Sequence, residues 1–173
     1  MNIILIGYRG TGKSVISKVL ADMLHCRRYN LDEEIIRQAG KSVREIVEQE
    51  GWDIFREIER RVVKQVSSEA QSSIIDCGGG VVVDERNVLD LRRIGKVVLL
   101  TSSLEKIIHR VRRDSSRPPL EEELSFIEEQ QKIIQERNPK YCAAADCTFE
   151  TTHMSPREVA LEIIDHFKKE NWI

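Results

Sequence analysis

The sequence predicts one three-layer α/β domain in which a central parallel sheet of five strands is flanked by helices. Short apolar runs at residues 3–6, 74–75 and 97–100 are each followed by a turn signal and a helical pattern. This alternation is typical of parallel strands joined by crossover helices. A length of 173 residues suits one domain with one core, so we expect residues 1–173 to form a single unit.

The elements can be placed in order along the chain. Residues 3–6 predict the first strand, and a helix is predicted to begin near Ser14. That helix should bury one stripe of apolar side chains, formed by Val15, Ile16, Val19, Leu20, Met23 and Leu24. Three capping boxes predict further helix starts: Ser42 with Glu45, Ser102 with Glu105, and Ser155 with Glu158. Residues 148–152 predict the last strand.

The composition excludes several classes of protein. The formal net charge is only −2, so no basic field attracts nucleic acid. The apolar run at residues 3–6 is far shorter than a signal core or a membrane span. The four cysteines contain no CxxC pair, which favours reduced thiols in the cytoplasm. We therefore expect a cytoplasmic monomer without nucleic-acid or membrane partners.

Residues 7–14 read Gly-Tyr-Arg-Gly-Thr-Gly-Lys-Ser and match the phosphate-loop pattern G-x-x-x-x-G-K-S/T between a strand and a helix. Backbone N–H groups of such a loop and the helix amino terminus cradle a polyphosphate. Lys13 is predicted to reach the outer phosphates, and Ser14 to place its hydroxyl on Mg²⁺. The remaining ATP-binding residues predicted in this segment are Gly10, Thr11, Gly12 and Val15.

Five further segments separate the chain from other phosphate-loop proteins. They are Tyr-Asn-Leu-Asp at residues 29–32, Phe-Arg-x-x-Glu at 55–59, Asp-Cys-Gly-Gly-Gly at 76–80, Arg-Pro-Pro-Leu at 117–120 and Arg-Asn-Pro-Lys-Tyr at 137–141. In this order, from Ile3 to the last helix, the chain resembles the shikimate kinase family. The resemblance implies the strand order 2-3-1-4-5 and a mobile lid at about residues 112–122. A GTPase is disfavoured because the base-reading motif Asn-Lys-x-Asp is missing from the sequence.

The resemblance implies an acceptor site made of side chains and backbone. Asp32 would hold substrate hydroxyls and act in catalysis by accepting a hydroxyl proton. Arg56 and Arg137 would grip the substrate carboxylate, although Arg56 also reads as a surface charge paired with Glu59. The consecutive glycines would let the backbone approach the substrate; they are Gly78, Gly79 and Gly80.

On the nucleotide side, the resemblance implies a catalytic lid arginine, Arg117, that closes over the phosphates and also binds ATP. The alternative reading of Arg117 is one more cation in a basic stretch. Pro156 and Arg110 would sandwich the adenine ring.

One position departs from the family. Asn30 stands where the family has an aspartate that helps to hold magnesium through water, and an amide supplies no negative charge. Asp76, which ends an apolar run before the glycines, resembles a Walker-B carboxylate that orients magnesium or its waters. We hypothesise that Asp76 compensates for Asn30.

The resemblance implies ATP-dependent phosphorylation of the 3-hydroxyl of shikimate in aromatic amino-acid biosynthesis, with Mg²⁺ as cofactor and ATP and shikimate as small-molecule partners. Two alternatives stay open. One is another small-metabolite kinase of the same fold, such as a gluconate kinase or a nucleoside monophosphate kinase. The other is a nucleotide-binding regulatory module with reduced turnover, which Asn30 keeps in consideration.

Overall fold

The computed structural model describes residues 1–111 and 126–173, and its centre is a five-stranded sheet. The strands are β1 (Asn2–Ile6), β2 (Arg28–Asn30), β3 (Ile74–Asp76), β4 (Gly95–Thr101) and β5 (Cys147–Glu150). All neighbouring strands pair in parallel in the order β2-β3-β1-β4-β5. The predicted sheet and its strand order are confirmed.

Helices connect the strands. Those in the described ranges are α1 (Lys13–Leu24), α2 (Leu31–Ala39), α3 (Val43–Glu69), α4 (Glu85–Ile94), α5 (Leu104–Val111), α6 (Phe126–Ala144) and α7 (Pro156–Lys169), with a 3₁₀ turn at Val81–Val83. Gly51 interrupts α3 with a φ of 89°, so the segment that begins at Ser42 and the amphipathic segment beyond Gly51 are two helical pieces joined at a kink.

The two faces of the sheet bury separate apolar clusters, which makes three layers. On one face, Ile3 and Leu5 of β1 pack with side chains of α1 and α7, such as Leu20 and Phe167. On the other face, side chains such as Ile4 pack with α2, α3 and α6. Because successive side chains of a strand point to opposite faces, the continuous apolar run of β1 feeds both clusters.

Two local predictions were wrong. Val15 is 54% exposed, because it lies in the first turn of α1, where the helix opens onto a cleft rather than onto the core. The capping box of Ser102 with Glu105 does not form. The hydroxyl of Ser103 accepts a hydrogen bond from the Lys106 N–H at 3.3 Å, so the cap of α5 lies one residue later. The boxes at Ser42 and Ser155 are confirmed.

The described helices are too short or too polar to cross a membrane. Within residues 1–111 and 126–173, none combines the length and the apolar character that a bilayer crossing requires.

Candidate active site

The loop between β1 and α1 leaves a helix amino terminus open. Gly12 caps α1 with a φ of 94°, a left-handed conformation that favours glycine, and no side chain in the described ranges caps this helix. The first turn of α1 therefore presents the partial positive charge of a helix end to an anion in this loop. Ser14, in the same first turn, is exposed to the cleft.

The side chain of Lys13 folds back into the phosphate loop. Its side chain is buried, and Nζ donates hydrogen bonds to the carbonyl oxygens of Gly7 at 2.8 Å and Tyr8 at 3.0 Å. The ammonium is thus held at the centre of the curled backbone. A phosphate that enters the loop meets this charge in a site shielded from water, where electrostatic attraction is strong.

Neighbouring elements brace the loop from outside. The hydroxyl of Thr11 donates to the Tyr8 carbonyl at 2.8 Å, and the hydroxyl of Thr151 donates to the Thr11 carbonyl at 2.9 Å. Arg110 donates from Nη1 to the Gly10 carbonyl at 2.7 Å. The loop geometry is therefore set by contacts from α5 and from the segment after β5.

A cleft of about 450 Å³ runs from this loop to the ends of β2 and β3. It brings together most residues predicted for the nucleotide and two predicted for the acceptor. Its lining residues are Arg9, Gly10, Gly12, Lys13, Ser14, Val15, Asp32, Cys77, Gly79, Arg110 and Pro156. Burial raises the pKa of the Cys77 thiol well above its usual range, and the nearby Asp76 charge adds to this, so Cys77 stays a protonated wall residue.

The glycines after β3 make room for the predicted acceptor side chains. A Cβ on Gly78 would lie 2.8 Å from Asp32 Oδ1, and a Cβ on Gly80 would overlap the guanidinium of Arg56. Asp32 and Arg56, which lie on different helices, therefore meet over the same stretch of backbone. This close approach is what the consecutive glycines permit.

Arg56 is not a surface charge. Its side chain is 23% exposed and its Nη1 lies 2.7 Å from Glu59 Oε2, a carboxylate that is only 2% exposed. The guanidinium also lies 5.1 Å and 5.5 Å from the ring centroids of Phe55 and Trp52. The pairing with Glu59 is confirmed, but it is a partly buried pair, and the guanidinium lies against Gly80.

The last predicted acceptor residue reaches the same glycines from α6. This helix continues through Pro139, so Arg137 and Tyr141 are four residues apart on one face. Arg137 Nη1 donates to the Gly79 carbonyl at 3.2 Å, and the Tyr141 hydroxyl donates to the same oxygen. Burial raises the pKa of Tyr141 to about 12, so the hydroxyl remains a donor at neutral pH.

From the sequence, Glu59 and Tyr141 were not assigned to the site. Glu59 orients Arg56, and its position three residues after Arg56 was the available signal. Tyr141 holds the Gly79 carbonyl, and its helical spacing from Arg137 was the signal there. The predicted lid, with Arg117, lies outside the described residues.

The side chains present fit a magnesium ion held largely by phosphates and water. The described residues contain no cluster of three or more histidine, cysteine or acidic side chains, so they offer no all-protein metal cage. Magnesium suits such a site because it keeps several waters and takes few carboxylates. The Ser14 hydroxyl is exposed to the cleft, and Asp76 is a buried carboxylate at the end of β3.

The parallel sheet in the order 2-3-1-4-5, with a glycine-rich loop leading from β1 into α1, defines a P-loop nucleotide-binding protein. Comparison with known proteins narrows this class. A family model described as shikimate kinase matches residues 9–168. The chain belongs to the shikimate kinase family.

Individual relatives agree over nearly the full length. The chain is 35% identical to a shikimate kinase of Syntrophus aciditrophicus, over 99% of this chain and 93% of the relative. It is 38% identical to shikimate kinase 1 of Sodalis glossinidius, over 95% and 94%. Among solved structures, the shikimate kinase of Acinetobacter baumannii in complex with shikimate superposes with a TM-score of 0.92 at 30% identity, covering 98% of this chain and 93% of that one.

Proposed function

We propose that this enzyme transfers the terminal phosphoryl group of ATP to the 3-hydroxyl of shikimate, a step of aromatic amino-acid biosynthesis. Family membership over nearly the whole chain supports a kinase that uses ATP. The observation that carries the proposal is that one cleft is lined both by the phosphate loop with Lys13 and by Asp32 and Gly79. Donor and acceptor can therefore lie side by side, as an in-line transfer requires.

The proposed nucleotide site is the loop and its helix. The N–H groups at the start of α1 and Lys13 would hold the outer phosphates and stabilise charge that develops on the transferred group. Thr11 and Val15 belong to this site with Gly10 and Gly12, and Arg110 and Pro156 would enclose the adenine. Arg117 of the proposed lid, residues 112–122, would close over the phosphates.

The proposed acceptor site is the glycine run with the side chains around it. Arg56, oriented by Glu59, and Arg137 would bind the carboxylate of shikimate, since a guanidinium fork matches that group. Asp32 would orient the ring hydroxyls and accept the proton of the reacting one. Gly78, Gly79 and Gly80 would let the acceptor approach the backbone.

Magnesium is the proposed cofactor. Ser14 would hold it directly and Asp76 through water, and the bound ion would neutralise phosphate oxygens during transfer. We also propose that residues 1–173 form one domain acting as a cytoplasmic monomer with only small-molecule partners. All four cysteines are free thiols, which supports a reducing compartment such as the cytoplasm.

A coupled assay of ADP release tests the reaction. With magnesium and ATP present, we expect rapid ADP release that depends on shikimate, and only background release with gluconate or nucleoside monophosphates. Release driven by gluconate or by a nucleoside monophosphate would replace the proposed acceptor. Shikimate binding without ADP release would instead indicate a regulatory module.

A further inference from the structure

Arg28 of β2, to which the sequence gives no role, joins the end of β3 to α1. Its guanidinium lies 2.8 Å from Asp76 Oδ2 and 2.7 Å from the Ser17 hydroxyl oxygen, and it also reaches Glu33 Oε1 at 3.4 Å. The Arg28 and Asp76 side chains are only 14% and 3% exposed, so this is a largely buried ion pair. Such pairs are costly to leave half-made.

Asn30 belongs to the same cluster. Its Oδ1 accepts the Glu33 N–H at 3.0 Å and caps α2, while its Nδ2 donates to Asp76 Oδ2 at 3.2 Å. Asn30 and Asp76 are paired neighbours on β2 and β3. An aspartate at position 30 would cap the helix equally well but would face Asp76 with a like charge. The amide at position 30 is thus coupled to the carboxylate at position 76.

The cluster reaches the proposed metal ligand through α1. The hydroxyl of Ser17 is fully buried and lies 3.2 Å from Asp76 Oδ2 and 3.1 Å from the Ser14 carbonyl oxygen. Ser14 and Ser17 are one helical turn apart on the same side of α1. Ser17 thus connects the Arg28–Asp76 pair to the turn of α1 that carries Ser14.

We propose that Arg28 is a positioning residue that holds Asp76 at the end of β3 and, by offsetting its charge, sets the affinity of the nucleotide site for magnesium. Asp76, rather than the residue at position 30, supplies the carboxylate that acts on the metal, and Arg28 restrains it. This inference rests on the proposed function, because it takes the cleft to be the magnesium–nucleotide site.

The test measures metal binding directly. Mn²⁺, which binds oxygen ligands and is visible by electron paramagnetic resonance, is titrated into the complex of the full chain with ADP, and thermal unfolding is recorded without and with metal. Arg28→Met should tighten Mn²⁺ binding on the order of tenfold, because the charge of the Asp76 carboxylate is then no longer offset by its counter-ion. It should also lower the metal-free Tm, because Asp76 loses its counter-ion. Because the variant binds Mn²⁺ more tightly, added metal should raise its Tm by more than it raises the Tm of the wild type.

Matched variants separate this effect from general ones. Arg27→Met removes the same charge from the adjacent exposed residue, whose guanidinium lies over the Tyr29 ring, and should leave Mn²⁺ affinity unchanged. Asp76→Asn should weaken Mn²⁺ binding, and adding Arg28→Met to it should give no further gain. Arg28→Gln keeps a donor to Asp76 and serves if the methionine variant does not fold.

The outcomes are distinct. Wild-type Mn²⁺ affinity in both neutral Arg28 variants, or an equal gain with Asp76 already replaced, would overturn the inference and leave the proposed function standing. Failure of the wild-type chain to bind ADP with Mn²⁺ would overturn both.

Discussion

The two halves of the cleft are built in different ways. The nucleotide half is built around one continuous loop of backbone. Lys13 bonds to carbonyls of that loop, and Thr151 and Arg110 support the loop from other elements. The acceptor half is made of side chains from α2, α3 and α6, and these meet at the glycines after β3. The phosphate loop can be recognised from eight consecutive residues, whereas the acceptor half exists only once the sheet has assembled.

The difference determines what each half tolerates. In the nucleotide half, Lys13 and the backbone of the loop would contact the transferred group, so a change at Lys13 should act on the transfer step. In the acceptor half several side chains together would bind the acceptor, so a change at one of them should weaken acceptor binding and leave ATP binding unchanged.

The largest effect is expected for Lys13→Ala. The change removes a charge aimed at the transferring group, and we expect kcat to fall about a hundred- to a thousandfold. The fold should survive, because the Nζ bonds to the Gly7 and Tyr8 carbonyls lie within the phosphate loop. ADP release and thermal unfolding measure the two quantities. Lys18→Ala, an exposed change on the same helix, should match wild type in both. Near-normal turnover of Lys13→Ala would contradict the assignment.

Gly80→Ala should separate the halves. The backbone at Gly80 has a φ of −102°, which alanine adopts without strain, but the new Cβ would displace the Arg56 guanidinium. We expect the KM for shikimate to rise roughly tenfold, with the KM for ATP nearly unchanged, since a charge-assisted contact is lost.

Gly40→Ala is the control for this prediction. A Cβ there meets nothing within 4 Å, but its φ of 66° makes alanine strained, so this variant should lose stability without changing either KM. Equal rises in both KM values for Gly80→Ala would show that the halves are not independent.

The smallest effect concerns the pH dependence of stability and Tyr141, whose hydroxyl donates to the Gly79 carbonyl. Burial raises the pKa of Tyr141, and of Tyr8, from 10.0 to about 12. Because the pKa is higher in the folded state, the protonated tyrosines contribute to the free energy of unfolding. That contribution is fully present below pH 10 and is lost as the pH rises through 12. Each tyrosine contributes a slope of up to about 1.4 kcal/mol per pH unit in that window. Urea unfolding across this range should therefore show a shallower fall for Tyr141→Phe than for wild type. An unchanged slope would mean that Tyr141 does not titrate with unfolding.

The nucleotide half could be predicted from the sequence because its signal is local. Residues 7–14 carry both the pattern and its strand and helix context, and the loop lies where they indicate. The acceptor residues, separated by up to about a hundred positions, were reached only through resemblance to a family. The Arg28–Asp76 pair was not predicted, because a lone arginine in a short strand carries no pattern, and only the pairing of β2 with β3 brings the two residues together.

The four thiols differ in a way that is useful for spectroscopy. Cys77 is buried and Cys26 and Cys147 are partly covered, and burial raises the pKa of each, whereas Cys142 is exposed on α6 directly after Tyr141. A maleimide dye should therefore attach first at Cys142. A dye on Cys142 would lie next to Tyr141, whose hydroxyl donates to the Gly79 carbonyl. Its fluorescence could therefore report acceptor binding without engineered cysteines.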